Sequence, residues 1–252
     1  MPSPSRSAPS ADRSPRQTFG RKIVRRNPRG RRLLRLALVT VLIGLVLPVP
    51  FVIAYRFVPP PLTALMVIRW LGGTPIERHW VPLDRISAAL PRAVISSEDE
   101  KFCTHHGFDW AAFNNAYRDW RAGREPKGAS TISMQVAKNL FLWPGRSVLR
   151  KGIEAYLTVL LEFVWDKHRI MEVYLNVIEW GDGIYGADTA AHKYFHKPAS
   201  ALTAQEAALL AAVLPNPRAW SPAHPTQYIA ERAANIRDDM PAMAVPSANS
   251  CR

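Results

Sequence analysis

Cysteine is scarce: 252 residues hold only Cys103 and Cys251. That excludes a small disulfide-stapled scaffold and a thiolate zinc cluster. Cys103 sits inside the densest polar motif and Cys251 is next to last in a stretch expected to be mobile, so no structural disulfide is expected. Strand-like alternation is equally thin, with no run beyond three or four residues and no internal repeat, and the body is expected to be mainly α. Balanced charge over most of the length is a third absence. The formal net charge is +13, but residues 1–35 carry eleven Lys and Arg against Asp12 alone. A uniformly basic nucleic-acid binder is therefore excluded, and no nucleic-acid partner is expected.

One long stretch has no charge at all. Residues 36–55 are apolar apart from Thr40 and Tyr55, and at a rise of ~1.5 Å per residue they cross a hydrocarbon core of ~30 Å. Pro48 and Pro50 are expected to kink the second half. The flank of Arg21, Lys22, Arg25, Arg26, Arg29, Arg31, Arg32 and Arg35 lies before the run. By the positive-inside rule this leaves the N-terminus in the cytoplasm and exports the body. A cleaved signal peptide would want a shorter run and a small-residue cleavage site, and none is clear after Tyr55. The expected organisation is a disordered basic cytoplasmic tail over 1–32, a transmembrane anchor over 33–58, a catalytic body over 59–220 and a C-terminal extension over 221–252.

Within the body, residues 62–71 resemble a short amphipathic helix closed by Gly72-Gly73. Ile153, Tyr156, Leu157, Leu160, Leu161 and Val164 recur at helical spacing, which puts Glu154 at the edge of an apolar stripe, where it can face a cleft. A further helix runs through residues 169–176 and is expected to end at Gly181-Asp182-Gly183. Another covers 203–214, with Thr203 and Glu206 forming a capping box and Pro215 beyond the stop.

Three polar constellations carry chemistry. Glu98, Asp99 and Glu100 are consecutive acids; one of them facing an apolar pocket would have its pKa raised toward the range a general acid or base needs. A solvated acidic turn is the bland alternative. His105, His106 and Asp109 invite a metal reading, but no second ligand pair at zinc spacing follows, and His192 and His196 lack a nearby acidic partner at the usual spacing. No metal is expected, and His105 or His106 is expected to orient the acidic loop instead. Residues 128–131 (Gly-Ala-Ser-Thr) resemble a helix N-cap over free amides, without the Gly-Lys-Ser/Thr ending of a P-loop. Lys138, Arg146, Arg150 and Lys151 are either a solvated basic face or a clamp for a phosphate-bearing leaving group. Lys151 with Glu154 could be an ordinary i,i+3 pair worth ~0.2–0.5 kcal/mol.

Taken in order, these segments resemble glycosyltransferase family fifty-one, most closely its monofunctional biosynthetic peptidoglycan transglycosylases. Glu98-Asp99-Glu100-Lys101-Phe102-Cys103-Thr104-His105-His106-Gly107 meets the first motif, Glu-Asp-x-x-Phe-x-x-His-x-Gly. Residues 128–135 meet the second with Ala129, Ser133 and Met134 as departures. Arg150-Lys151-Gly152-Ile153-Glu154 is the third, and Arg169-Ile170-Met171-Glu172-Val173-Tyr174-Leu175-Asn176 a fourth. The resemblance covers about residues 30–220 and implies a lysozyme-like, mainly α glycosyltransferase body behind one N-terminal transmembrane helix. It implies lipid II and the growing glycan strand as substrates at the cell inner membrane, with inversion to a β-1,4 bond and release of undecaprenyl diphosphate.

Residue by residue, the resemblance makes Glu98 the general base and Glu154 the second family carboxylate, orienting donor or cations. It gives Lys138, Arg146, Arg150 and Lys151 to the diphosphate, and Asp99, Lys101, Ser130, Thr131 and Gln135 to the loop and sugars. Met134, standing where the family usually has a glutamine, implies one cleft hydrogen bond lost or moved. Ile153, where many relatives carry Lys, implies a weaker clamp. No cofactor is required by this logic, with divalent stimulation left open. Cell-division or penicillin-binding proteins are candidate partners, because no transpeptidase domain is expected here. Two rivals stand beside this reading: a muramidase, which would use a cleft carboxylate without a cationic clamp, and a non-catalytic membrane scaffold.

Overall fold

The computed structural model describes residues 28–125, 128–145, 147–246 and 251. Most of the expected cytoplasmic tail and Arg146 of the cation cluster lie outside the described residues. The chain divides into two compact units, Met1–Gly44 and Leu45–Arg252.

Helix α1 (Pro28–Val46) is followed by α2 (Pro48–Tyr55). Pro48 and Pro50 stand in the first turn of α2, where their missing N–H groups have no intrahelical acceptor anyway. The residue before them, Leu47, keeps helical angles of φ −55° and ψ −40°. The window Leu38–Tyr55 has a mean hydropathy of 2.5, and its Val39, Leu42, Ile43, Phe51 and Ile53 are all exposed. A helix that is both apolar and unburied is compatible with a single-pass membrane anchor.

The second unit is built on helices. In order come α3 (Ala64–Leu71), β1 (Glu77–Arg78), α4 (Ala89–Glu98), α5 (Trp110–Arg121), α6 (Ile132–Phe141), α7 (Val148–Val164) and α8 (Lys167–Val177). After them come β2 (Glu179–Gly181), β3 (Ile184–Tyr185), α9 (Ala187–Phe195), α10 (Ala204–Val213) and α11 (Gln227–Asp239). The sheet is small, ordered β1-β3-β2, with β1 parallel and β2 antiparallel to β3. Helices α6, α7 and α8 pack on one another, as do α4, α10 and α11. Val94, Ile95, Phe102, Val136, Leu157, Leu161, Ile170, Tyr174, Leu210 and Ala211 are buried in one continuous core.

Local chemistry sets the ends of these helices. Thr63 accepts from Met66 N at the start of α3, and Gly72 caps its end. Thr203 and Glu206 form the expected reciprocal capping box at α10, which satisfies two otherwise orphaned donors.

The structure corrects four expectations. Helix α8 stops at Val177, and Asp182-Gly183 is the turn of the β2–β3 hairpin instead. Gly183 has φ +74°, and a Cβ there would come within 2.3 Å of the Pro75 carbonyl oxygen, so the turn suits glycine. The buried face of α7 is rotated from the apolar stripe: it runs through Arg150, Glu154, Leu157, Thr158 and Leu161, while Val159 and Phe163 are exposed. His192 does have an acidic neighbour, Asp188, four residues earlier and 3.6 Å away, and Asp188 also meets His79 Nδ1 at 2.7 Å. Finally, Cys103 and Cys251 are disulfide-bonded, with Cα atoms 4.7 Å apart. After α11, Met240 is buried and the Ala244 carbonyl oxygen lies 3.8 Å from Cys103 Sγ.

Candidate active site

Helix α4 ends at Glu98, and the eleven residues before α5 form a loop with two turn hydrogen bonds, Phe102 N–H to the Asp99 carbonyl at 2.9 Å and Thr104 N–H to the Lys101 carbonyl at 2.8 Å. Side chains satisfy others of its polar groups. Asp99, buried, accepts from His105 Nε2 at 2.8 Å and from the Ile132 N–H at 3.0 Å, tying the loop to the first turn of α6. A carboxylate suits that place because the helix N-terminus carries partial positive charge. Phe102 is fully buried beneath the Lys167 ammonium, which lies 4.6 Å from the ring centroid. Lys167 in turn pairs with Glu162 at 2.7 Å, and the same carboxylate accepts from Ser133 Oγ.

Gly107 closes the loop with φ +87°, where a Cβ would meet Thr158 Cγ2 at 2.9 Å and Glu162 Cγ at 3.1 Å. Its carbonyl accepts from Thr131 Oγ1 at 2.6 Å, and Thr131 caps α6 by accepting from Met134 N. The expectation that a histidine orients the acidic loop thus falls on His105; His106 is exposed.

Glu98 is left facing a cleft of about 1130 Å³ that Asp99, Lys101, Ser130, Thr131 and Gln135 also line. That exceeds the roughly 300–1,000 Å³ of a typical small-molecule pocket and has room for several sugar units. Burial raises the Glu98 pKa, opposed by a hydrogen bond from Gln135, the charge of Arg232, a hydrogen bond from Ser97 and the charge of Lys138. Gln135 Nε2 donates to Glu98 Oε2 at 2.8 Å. Lys101 is exposed and reaches Asp109 at 3.5 Å. Asp109 caps α5, and its carboxyl is held below the usual range first by the Ala112 N–H.

The second carboxylate is inside the protein. Glu154 is 2% exposed and not at the edge of a stripe, because two cations come with it: Arg150 Nη1 at 2.5 Å from Oε2 and Lys151 Nζ at 2.5 Å from Oε1. Arg150 is itself buried, whereas Lys151 stays half-exposed and reaches toward Ser130 Oγ at 3.4 Å. Lys138 lies in the field of both carboxylates. Burial lowers its pKa, Glu154 and Glu98 raise it, and Arg150 and Lys151 lower it further. The structure thus brings Glu98, Gln135, Lys138, Arg150, Lys151 and Glu154 into one charged assembly.

Met134 is buried and Ile153 packs against the core.

Two contributors were not singled out from the sequence. Arg232, on α11, lines the cleft, donates to Ser97 Oγ at 2.9 Å and keeps a buried Nε without a partner among the described residues. Tyr174 belongs to the fourth motif, and its hydroxyl reaches Gln135 Oε1 at 3.2 Å. The rest of that motif fastens the frame. Arg169 donates to the carbonyls of Tyr55 and Val58, Glu172 accepts from Leu83 N, and Asn176 brackets Val81 through both its amide atoms.

The chain belongs to the transglycosylase family: the Transglycosylase family model matches residues 66–241. Relatives bearing the name biosynthetic peptidoglycan transglycosylase are close. That of Rhodospirillum centenum is 58% identical over 211 residues, covering 83% of this chain and 91% of that protein. That of Caulobacter vibrioides is 54% identical over 207 residues, 82% and 90% of the two chains, and that of Pseudomonas syringae pv. syringae is 54% identical over 195 residues, 75% and 83%. The mainly α body and this membership bear out the lysozyme-like fold class.

Proposed function

We propose that this protein is a membrane-anchored peptidoglycan glycosyltransferase that polymerises lipid II into β-1,4 glycan strands. The observation that carries the reading is the pairing of a cleft carboxylate whose pKa is raised by burial, Glu98, with the cations held around Glu154. Acyl transfer or metal hydrolysis would ask for a different set of groups; a glycosyl transfer with a diphosphate leaving group asks for this one.

In the reaction Glu98 takes the proton of the acceptor 4-hydroxyl as that oxygen attacks C1 of the donor sugar. The C1–O bond to the lipid diphosphate breaks, and the anomeric centre inverts. Charge growing on the diphosphate is met by Lys138, Arg150 and Lys151, with Arg146 as a further cation from the same segment. Glu154 keeps these cations from repelling one another out of position. Asp99 and Thr131 hold the loop that follows Glu98, while Lys101, Ser130 and Gln135 face the sugars. Fixed cations make a divalent ion dispensable, with stimulation by one as a separate question for assay. The anchor keeps the body against the membrane that supplies the lipid tail, with the N-terminus cytoplasmic and the body on the outer face of the inner membrane. Cell-division and penicillin-binding proteins are candidate neighbours there.

The test is incubation of the detergent-solubilised chain with labelled lipid II, with products sized and then digested by lysozyme. Lysozyme-sensitive polymer from wild type and none from Glu98→Gln is the expected result. Polymer from Glu98→Gln at near-normal rate removes Glu98 from the base role, and shortening of preformed glycan without lipid II would favour the muramidase reading.

A further inference from the structure

The Glu98 carboxylate is reached from the core by a two-step hydrogen-bond chain. Tyr174, on α8, is fully buried, and a buried phenol needs a partner for its O–H. It finds Gln135 Oε1 at 3.2 Å, while Gln135, on α6, donates through Nε2 to Glu98 Oε2 at 2.8 Å. A primary amide offers acceptor and donor on opposite atoms. Turned over, Gln135 would set Oε1 against Glu98 Oε2, two acceptors face to face. With the hydroxyl donating on one side and the carboxylate accepting on the other, one orientation satisfies all three groups, and each bond polarises the next toward the carboxylate.

We propose that Tyr174 is a positioning residue for the transfer reaction: by fixing the Gln135 amide, it keeps a donor on Glu98 and so favours the ionised carboxylate that accepts the hydroxyl proton. The inference rests on the reading of Glu98 as the base. Burial, then the neighbouring Glu98 and Asp99 carboxylates, push the Tyr174 phenol well above its ordinary value, so it stays a donor across the working range.

The other groups facing Glu98 act differently. Arg232 from α11 and Lys138 from α6 act through their charge. Ser97 from α4 shares its hydroxyl between Glu98 Oε1 and the Ala211 carbonyl of α10, both at 3.3 Å. None of these depends on the Tyr174 hydroxyl, so its removal isolates the chain.

The experiment is a titration of the Glu98 carboxyl carbon by NMR in detergent-solubilised, glutamate-labelled protein, the resonance being the one lost in Glu98→Gln. In Tyr174→Phe the midpoint should move to higher pH. On the acid limb of the rate profile, turnover should fall about fivefold, the factor that ~1 kcal/mol of hydrogen bonding represents, and the loss should fade on the alkaline plateau. Gln135→Leu, which leaves the phenol in place, should move the midpoint the same way, and adding Tyr174→Phe to it should move it no further. A Tyr174→Phe midpoint coincident with wild type, a further displacement in the double variant, or a rate loss equal at every pH would each overturn the inference. The titration needs no turnover. A shifted midpoint in a protein that makes no polymer would uphold the chain of bonds while the transferase reading fell.

Discussion

Replacing Glu154 by Gln removes a charge and almost no volume. The carboxylate is 2% exposed and Arg150 8% exposed, with 2.5 Å between Oε2 and Nη1, so their interaction is not screened as a surface pair would be. Lys151 adds less, its side chain being 46% exposed. Breaking a buried pair from one side leaves the other charge uncompensated and typically costs about 3–5 kcal/mol. The glutamine oxygen retains one hydrogen bond to Arg150 and offsets part of this, which leaves an expected loss of about 2–4 kcal/mol. Against a total stability of roughly 5–15 kcal/mol, the variant folds with a much reduced margin.

The same change acts on chemistry. Lys138 is already lowered by burial, and Glu154 is the largest of the charges that hold it up. Without Glu154 its pKa falls further, so the alkaline limb of the rate profile moves to lower pH. The assays are denaturant unfolding of the solubilised protein and polymerisation against pH, with Arg150→Met/Glu154→Leu as the control. Exchanging both members for apolar groups of similar size should restore most of the stability and none of the activity. A loss below about 1 kcal/mol in Glu154→Gln, or a double variant no more stable than the single one, would refute the account of Glu154 as the buried counter-charge of the cation assembly.

The disulfide joins residues 148 apart in sequence, and closing so long a loop stabilises by about 2–5 kcal/mol. Reductant should lower the unfolding midpoint of wild type and leave that of Cys103→Ser unmoved; equal midpoints for wild type with and without reductant would contradict the bond. Glu98→Gln should behave oppositely to Glu154→Gln. Because burial raises the Glu98 pKa in the folded state, the ionised group opposes folding at pH above that folded value, and the penalty vanishes as pH falls through it to the unfolded value. The variant should therefore melt higher than wild type near neutral pH and converge with it in acid, and a lower melting point at neutral pH would refute this.

Each single motif, the uncharged span, the α3 stop at Gly72 and the α10 capping box were all legible because each is written in one contiguous stretch of sequence. The face of α7 was not. Counting apolar residues puts Glu154 only at the edge of the stripe, and its compensation by Arg150 lets both lie on the buried face. Helix α5 shows the converse. Trp110, Phe113, Tyr117 and Trp120 make an apolar stripe, yet no residue of that helix is buried. The Arg232–Ser97 bond spans 135 positions and the disulfide 148, separations over which local pattern carries no information.

What makes the first motif so dense is the shape of the chain around Glu98 more than contact with a substrate. The carboxylate at the end of α4 is followed by a loop with only two turn hydrogen bonds, Phe102 to Asp99 and Thr104 to Lys101, and the polar groups these leave over must be satisfied by side chains or water. Asp99, His105 and Gly107 meet that need from within the loop, and Thr131 and the Ile132 N–H meet it from α6. Phe102 gives the loop a buried foot, held by the Lys167–Glu162–Ser133 network. It follows that most substitutions in this motif act first by letting Glu98 drift from its place. Their kinetic signature should be a fall in turnover that tracks the loss of loop order, whereas a change confined to the pH profile belongs to the few groups that touch the Glu98 carboxylate or reach it through Gln135.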